Sequence, residues 1–278
     1  MQLFLPDGAI TETVLRLGAF IAVFVVMAAG EAFMPRRTLS YPKGRRWFTN
    51  LAIVAFDSVV VRLMATLSVP LVAVAAAIYA GSQGWGLFNW LELPYWIEVA
   101  LTLVILDLAI WFQHIASHKV PLFWRLHQMH HADVDFDVTT AIRFHPIEIA
   151  LSMLWKIVCV LALGAAPEAV ILFEIVLNGC AVFNHANVAL PARADRILRL
   201  ILVTPDMHRV HHSVLNHEHN SNYGFNLSVW DRLFRTYTPQ PENGHEGMTI
   251  GLAPYQNANP TRFSWSLLLP FRKLRRSL

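Results

Sequence analysis

Residues 107–131 read DLAIWFQHIASHKVPLFWRLHQMHH and join an apolar segment to a run of histidines. The histidines of this stretch are His114, His118, His127, His130 and His131. Residues three and four apart share one face of an α-helix, so the spacing presents these imidazoles as two patches. The stretch therefore predicts a membrane helix that ends in a cluster of potential metal ligands.

A third patch of the same design follows at His208-x-x-His211-His212. Neutral imidazole is the commonest protein metal ligand and suits iron, zinc, copper and nickel. Eight close histidines without a metal would repel one another when charged, or leave many buried ring nitrogens without partners. The three patches therefore predict a site that encloses more than one metal ion.

The composition is that of an integral membrane protein. Of 278 residues, 55% are hydrophobic and only 15% are charged, whereas a soluble domain carries about 25% charged residues. The mean hydropathy is +0.43. The net charge of +3 is better explained by membrane orientation than by nucleic-acid binding. Cys159 and Cys180 lie in apolar segments, offer no metal motif and are expected to pack in the core.

The apolar runs predict an all-α integral membrane protein with about four or five apolar helices. The runs are residues 14–33, 51–80, 95–112, 149–163 and 168–183. Asp7 and Glu12 precede the first run where a signal peptide would be basic, so we expect a retained span. The second run contains Pro70 and is too long for one straight crossing, which favours a tilted or kinked helix or a tight re-entrant pair. The last two runs predict a helical hairpin.

Basic residues predict the orientation. They fill the first loop, the histidine loop and the carboxy-terminal segment, but the loops at 81–94 and 164–167 contain none. Positive charge marks the cytoplasmic side, so the histidine-rich cap is expected to face the cytoplasm, at the inner membrane if the source is bacterial. Arg16, Arg62 and Lys156 lie within or beside apolar runs, and snorkelling to the headgroups is the default interpretation.

Several other polar residues are candidates for the same site. Asp107, two turns before His114, would either orient a ligand or serve packing. His145 would be a ligand or a hydrogen-bond partner of one. His185 ends the last apolar run at the same membrane face and is favoured as a ligand. His219 would support the site, whereas His217 is expected in a solvated loop.

The motifs together resemble the fatty acid hydroxylase/sterol desaturase superfamily of integral-membrane enzymes. The resemblance covers residues 107–237 and includes the histidine patches in order. The flanking motifs are Asp107-x-x-x-Trp111, Phe123-Trp124-Arg125, Arg143-x-His145-Pro146-x-Glu148, Asn184-His185, Asn222-Tyr223-Gly224 and Trp230-Asp231. Some members carry a second histidine four residues after the position of His185, where this chain has Ala189.

The resemblance implies two iron ions, O2 as co-substrate and a separate electron donor, such as a cytochrome b5-like protein, a ferredoxin or a reductase. The expected reaction is hydroxylation or desaturation of a lipid, fatty-acyl, sterol or similar hydrophobic substrate. The implied metal ligands are His114, His118, His127, His130, His131, His185, His208, His211 and His212. Residues expected to support them or to bind a metal themselves are Asp107, His145, Asn184, Asp206 and His219.

The predicted organisation has amino-terminal membrane helices at 1–106, a catalytic domain at 107–240 that includes the hairpin 149–183, and a basic tail at 241–278. Two other functions stay open from the residues alone. One is a zinc-dependent membrane hydrolase, which would need fewer histidines. The other is a non-catalytic metal-binding or transport protein, although transporters place their ligands near the membrane midplane.

Replacing His130 or His211 with alanine is expected to abolish product formation and to lower the metal content, because each removes a ligand. The measurement is metal analysis together with product formation. His217→Ala serves as the control, since His217 is predicted to lie in a solvated loop. Full activity of His130→Ala or His211→Ala would refute the ligand assignment.

Overall fold

The computed structural model describes residues 6–67, 72–91 and 93–272, and these residues form helices and loops. The first eight helices are α1 (Pro6–Phe33), α2 (Lys43–Leu67), α3 (Ala73–Gln83), α4 (Leu87–Trp90), α5 (Tyr95–Lys119), α6 (Pro121–His131), α7 (Pro146–Leu163) and α8 (Pro167–Asn184). Shorter helices follow: α9 (Ala192–Leu198), α10 (Pro205–His211), α11 (Asn216–His219), α12 (Val229–Leu233), α13 (Gly244–Gly247) and α14 (Phe263–Leu268). Pairing between extended segments of the described residues is limited to three isolated β-bridges.

Five helices are long and apolar enough to cross a membrane, namely α1, α2, α5, α7 and α8. At 1.5 Å per residue, about 20 residues cross a hydrocarbon core of about 30 Å. The prediction of an all-α membrane protein with four or five apolar helices is confirmed.

The long apolar run at 51–80 forms two helices. α2 ends at Leu67 and α3 begins at Ala73, while Pro70 lies outside the described residues. α3 has 11 residues, too few for a crossing, and packs on α7 and α8. Of the alternatives raised by the sequence, a pair of helices is therefore the one that the structure contains.

A close backbone contact fixes the end of α3 against the loop between α7 and α8. Gly86 has φ 94°, and a Cβ atom there would lie 2.1 Å from the nitrogen of Gly164. Asn89 donates a hydrogen bond of 3.4 Å to the Gly164 carbonyl. Only glycine permits this approach.

The membrane helices pack in neighbouring pairs. α5 packs on α7 and α8, α1 packs on α8, and α2 packs on α7. The end of α1 meets the loops near the histidines, because Glu31 accepts hydrogen bonds from the backbone N–H groups of Val138 and Asn187. The carboxyl ends of α1, α5 and α8 and the amino ends of α2 and α7 therefore meet at one end of the bundle, which we call the histidine end.

The snorkelling prediction is wrong for Arg16 and Lys156. The Arg16 guanidinium lies 2.8 Å from a carboxylate oxygen of Glu174, and the Lys156 ammonium contacts the other oxygen. Glu174 is buried. An inward ion pair forms because a charge inside the bundle is more stable beside an opposite charge than in hydrocarbon. Arg62, on α2, is exposed.

A buried ion cluster attaches the loop after α6 to α2. The Arg46 guanidinium binds Asp133 through two hydrogen bonds of 2.8 and 2.9 Å and Asp137 at 2.5 Å. Asp135 accepts hydrogen bonds from the backbone N–H groups of Ser40 and Tyr41. Because α6 carries three of the predicted ligands, this cluster fixes the helix on which the metal site depends.

The carboxy-terminal segment packs on α2 and α6. Trp265 and Leu269 are buried against Met129 of α6. Arg143 donates hydrogen bonds to the Pro260 carbonyl and the Ser266 hydroxyl, both 2.8 Å long. Of the basic residues at the end of the chain, Lys273, Arg275 and Arg276 lie outside the described residues. The domain boundaries at 106 and 240 stay predictions.

Arg46→Met is expected to reduce the free energy of unfolding by about 3–5 kcal/mol, because it leaves the buried Asp133 and Asp137 carboxylates without their cation. The measurement is unfolding of the purified protein in mixed micelles. Arg45→Met is the matched control, since the neighbouring Arg45 is exposed. Equal stability of the two variants would contradict a structural role for the cluster.

Candidate metal centre

The structure gathers nine histidines into two groups, and these are the nine predicted ligands. The first group is His114, His118, His127, His131 and His211, and the second is His130, His185, His208 and His212. Within each group, one potential ligand atom from every residue lies within 4.8 Å of the others. Their role as metal ligands stays a prediction.

Helical spacing divides the histidines between the groups. On α6, His127 and His131 are four residues apart and join the first group, while His130 joins the second. On α10 and the residue that follows it, His208 and His212 are four residues apart and join the second group, while His211 joins the first. Residues four apart lie on one face of a helix, so each such pair faces a single centre.

Two backbone carbonyls determine which ring nitrogens are protonated in the first group. Nδ1 of His114 lies 2.7 Å from the carbonyl oxygen of Tyr223, and Nδ1 of His211 lies 2.6 Å from that of Ser221. A carbonyl oxygen only accepts hydrogen bonds, so both Nδ1 atoms carry the proton. The Nε2 atom of each neutral ring then presents a lone pair.

These two lone pairs face each other. The Nε2 atoms of His114 and His211 are 3.1 Å apart. Burial, followed by the neighbouring histidines, holds the pKa of His211 well below its usual range, so this ring does not gain a second proton at neutral pH. Metal–nitrogen bonds of about 2.0–2.1 Å place adjacent ligand atoms about 3 Å apart. A cation between the rings therefore removes the repulsion and fits the spacing.

The second group converges in the same way. Nδ1 of His185 donates to the Ala181 carbonyl at 2.7 Å, so its Nε2 is an acceptor. That Nε2 lies 3.2 Å from Nε2 of His130 and 3.1 Å from Nε2 of His208. Burial lowers the pKa of His185 to about 3. The second group thus also presents a lone pair to a position shared with neighbouring rings.

Three further rings have nitrogen atoms that fit metal binding. In His118, His131 and His212, neither ring nitrogen has a hydrogen-bond partner among the described residues. An unsatisfied buried polar group costs about 1–3 kcal/mol. Bonds to metal ions would satisfy one nitrogen on each ring, so the donor set fits two all-histidine metal sites.

Glu148 is a site residue whose role the sequence did not reveal. Its carboxylate lies 2.6 Å from Nδ1 of His127 and is buried in the first turn of α7. A carboxylate behind a ligating histidine fixes the ring and increases its basicity. The sequence did single out Glu148 as the last residue of the Arg143-x-His145-Pro146-x-Glu148 motif, but it did not indicate that this carboxylate contacts His127.

Asp107 serves packing rather than ligand orientation. It accepts hydrogen bonds from the indole of Trp230 at 2.8 Å and from the backbone of Leu227 at 3.2 Å. Asp231 accepts from the Trp111 indole and from the backbone N–H of Tyr223. The two carboxylates therefore hold the loop whose Tyr223 carbonyl binds His114.

His145 lies outside both histidine groups. Its Nδ1 accepts a hydrogen bond from the backbone N–H of Ile147 at the start of α7, and its Nε2 lies 3.3 Å from the Leu267 carbonyl. Through these contacts His145 caps α7. Its assignment as a metal ligand or as a hydrogen-bond partner of one stays a prediction.

The remaining candidates surround the groups. Asn184 donates a hydrogen bond to the Phe225 carbonyl, and Asp206 pairs with Arg209. The His219 ring packs against His118 and His131, with centroids 4.8 and 4.5 Å apart, but it belongs to neither group. His217 is exposed as expected, but it lies in the short helix α11 and not in a loop.

Two cavities reach the histidines. The larger, of about 720 Å³, is lined by residues of α1, α2, α5, α7 and α8 and includes His114 and His127. The smaller, of about 230 Å³, reaches His118 and His219 beside Trp124 and Tyr255. The first therefore connects the membrane helices with the histidine groups, while the second approaches them through the loops.

The chain is similar to a known protein family and to individual membrane-lipid enzymes. Residues 99–236 match the fatty acid hydroxylase family. The chain is 26% identical over 233 residues to an ornithine lipid hydroxylase from Rhizobium tropici, covering 83% of this chain and 70% of that protein. It is 32% identical over 181 residues to an alkylglycerol monooxygenase from Xenopus tropicalis, covering 64% of this chain but only 38% of that protein. No solved structure is significantly similar to the chain.

Glu148→Ala is expected to weaken metal binding at the first group by about 10–100-fold, because it removes the hydrogen-bond acceptor behind His127. Glu148→Gln keeps an acceptor and should have a smaller effect. The measurement is metal retention during titration with a chelator. Glu168→Ala, which alters the first turn of α8, is the control. Identical retention by Glu148→Ala and the control would exclude this role of Glu148.

Proposed function

We propose that this chain, which belongs to the fatty acid hydroxylase superfamily, is a membrane-bound di-iron oxygenase that hydroxylates a C–H bond of a lipid. The observation that supports this most strongly is the pair of all-histidine groups beside a cavity that opens among membrane helices. The two relatives described above are named as a lipid hydroxylase and a monooxygenase. Hydroxylation is therefore favoured over desaturation.

The overall reaction converts a C–H bond and O2 into an alcohol and water, and consumes two electrons and two protons. Bound iron would supply the oxygen-activating chemistry, as cofactors do in such enzymes. The protein would hold the ions in the two histidine groups. Glu148 would keep the His127 ring oriented, and the carbonyls of Tyr223, Ser221 and Ala181 would keep Nε2 of their histidines free of protons.

The larger cavity is proposed to bind the substrate. Phe225 contacts the His114 ring, with centroids 5.1 Å apart, and also lines the cavity. Phe144 stacks on His130 at 4.4 Å and lines the same cavity. These aromatic rings would exclude water from the reacting carbon and present an apolar surface to a lipid chain.

The electron donor would be a separate protein that approaches from the cytoplasm. The excess of Lys and Arg in the loops at the histidine end supports the cytoplasmic orientation. The smaller cavity reaches His118 beside Trp124, which makes it the candidate face for electron delivery. Substrate and reductant would thus approach the metal centre by different routes.

Labelled dioxygen tests the proposed reaction. Membranes that contain the protein, supplied with a reductant and oxygen-18 gas, should accumulate a lipid that carries one labelled oxygen atom. His211→Ala membranes are the control and should lack this product, because the variant loses a ligand. A product labelled from water instead of O2 would contradict an oxygenase and favour a zinc-dependent hydrolase.

A further inference from the structure

The larger cavity contains a charged cluster at its inner end. Arg16 of α1 and Lys156 of α7 share the carboxylate of Glu174 on α8, and all three side chains line the cavity. Arg62 of α2 also lines the cavity, and no described acidic residue forms an ion pair with it. Arg16 also pairs with Glu12 at 2.9 Å, and the acidic residues Asp57 and Glu148 line the cavity too. A cavity suited only to hydrocarbon would not be lined by so many charged side chains.

The cluster lies well inside the membrane bundle. Glu174 precedes His185 by 11 residues along α8, which corresponds to about 16 Å at 1.5 Å per residue. Lys156 follows Glu148 by eight residues along α7, or about 12 Å. The cluster and the first histidine group therefore mark opposite ends of the cavity.

A polar stripe connects these ends. Glu148, Ser152 and Lys156 follow one another at intervals of four on α7, so they lie on one face, and all three line the cavity. Ser152 donates a hydrogen bond of 3.3 Å to the side chain of Gln113, next to His114. Asn178, one turn from Glu174 on α8, lines the cavity as well.

The charges have capacity for another partner. A lysine ammonium has three N–H donors, and Glu174 is the one described side chain that accepts from Lys156. A charged residue at the centre of a membrane helix costs about 2.5–3.5 kcal/mol on insertion scales, so such residues mark functional sites. Arg16 divides its guanidinium between Glu12 and Glu174, whereas Arg62 forms no ion pair with a described acidic residue.

We propose that Lys156, Arg16 and Arg62 bind the anionic oxygen group of an amphiphilic substrate, a carboxylate or a phosphate, at the inner end of the cavity. The hydrocarbon part of the substrate then extends toward His114 and His127, where the reacting carbon lies. The position of the reacting carbon rests on the proposed function, whereas the binding of the anion does not. Because the distance between the two ends of the cavity is fixed, binding of the anionic group determines which carbon of the substrate is hydroxylated.

Binding of matched single-chain lipids tests this inference. The probes are palmitate, hexadecyl phosphate and hexadecanol, which differ in the head group and share a sixteen-carbon chain. Their affinities for the purified protein in detergent are measured by competition with radiolabelled palmitate, and the metal content of the same preparation is determined in parallel. Both anionic probes should bind about tenfold or more tightly than hexadecanol, because hydrogen bonds to charged groups contribute about 1.5–3 kcal/mol. Acetate and inorganic phosphate at equal concentration should not compete, which separates an amphiphile site from a free-anion site.

Two variants test whether the preference for anionic probes over hexadecanol arises in the cavity. The triple variant Arg16→Met/Lys156→Met/Glu174→Leu removes both cations together with the carboxylate that they share, and Arg62→Met removes an exposed cation that forms no ion pair with a described residue. Each should reduce the preference for anionic probes toward that of hexadecanol while the iron content stays unchanged. Arg193→Met, on the exposed surface of α9, is the matched control and should keep the preference.

Equal binding of all three lipids, or a preference that persists in both cavity variants, would overturn the inference. Competition by acetate or inorganic phosphate as strong as that by palmitate would also overturn it. If the anionic preference is present but the protein binds no iron, the anion site stands and the proposed oxygenase function fails. The two proposals can therefore fail separately.

Discussion

Buried imidazoles that direct nitrogen lone pairs at one another repel, and a cation between them would remove that repulsion. His114 and His211 show this constraint most clearly, because carbonyl groups hold both Nδ1 protons and leave the two Nε2 atoms 3.1 Å apart. Protonation does not relieve the contact, since burial holds the pKa of His211 well below its usual range. α5, α6, α8 and α10, with the residues at their ends, bring these rings together.

The same constraint explains the buried charges around the site. Precise placement of ligand nitrogens requires that their supporting backbone does not move, and polar networks provide that rigidity. Arg46 ties the loop after α6 to α2 through Asp133 and Asp137, while Asp231 holds the loop that carries Tyr223. These charges lie near the histidine end, whereas the cluster of Arg16, Lys156 and Glu174 lies inside the cavity and has no contact with that scaffold. Its separate position is why we assign it to the substrate.

Eight of the nine clustered histidines could be predicted from sequence because helical spacing determines which imidazoles share a face, and His185 could be predicted from its place at the end of the last apolar run. The apolar runs likewise predicted the membrane helices, and the interruption near Pro70 was among the expected alternatives. What the sequence could not determine were contacts between distant segments. Asp107 is near His114 along α5 but binds Trp230, and Glu148 is 21 residues from His127 yet supports its ring. The sequence alone predicts that Arg16 and Lys156 snorkel to the lipid headgroups, because their partner Glu174 lies on another helix.

The most direct test of the di-iron assignment is metal analysis combined with Mössbauer spectroscopy of detergent-purified protein that is expressed with iron-57 and handled without oxygen. Two histidine groups predict about two irons per chain, with spin coupling between them after oxidation. His217→Ala should give the same spectrum, since its side chain is exposed. A single zinc ion per chain that persists after reconstitution with iron would contradict the di-iron oxygenase.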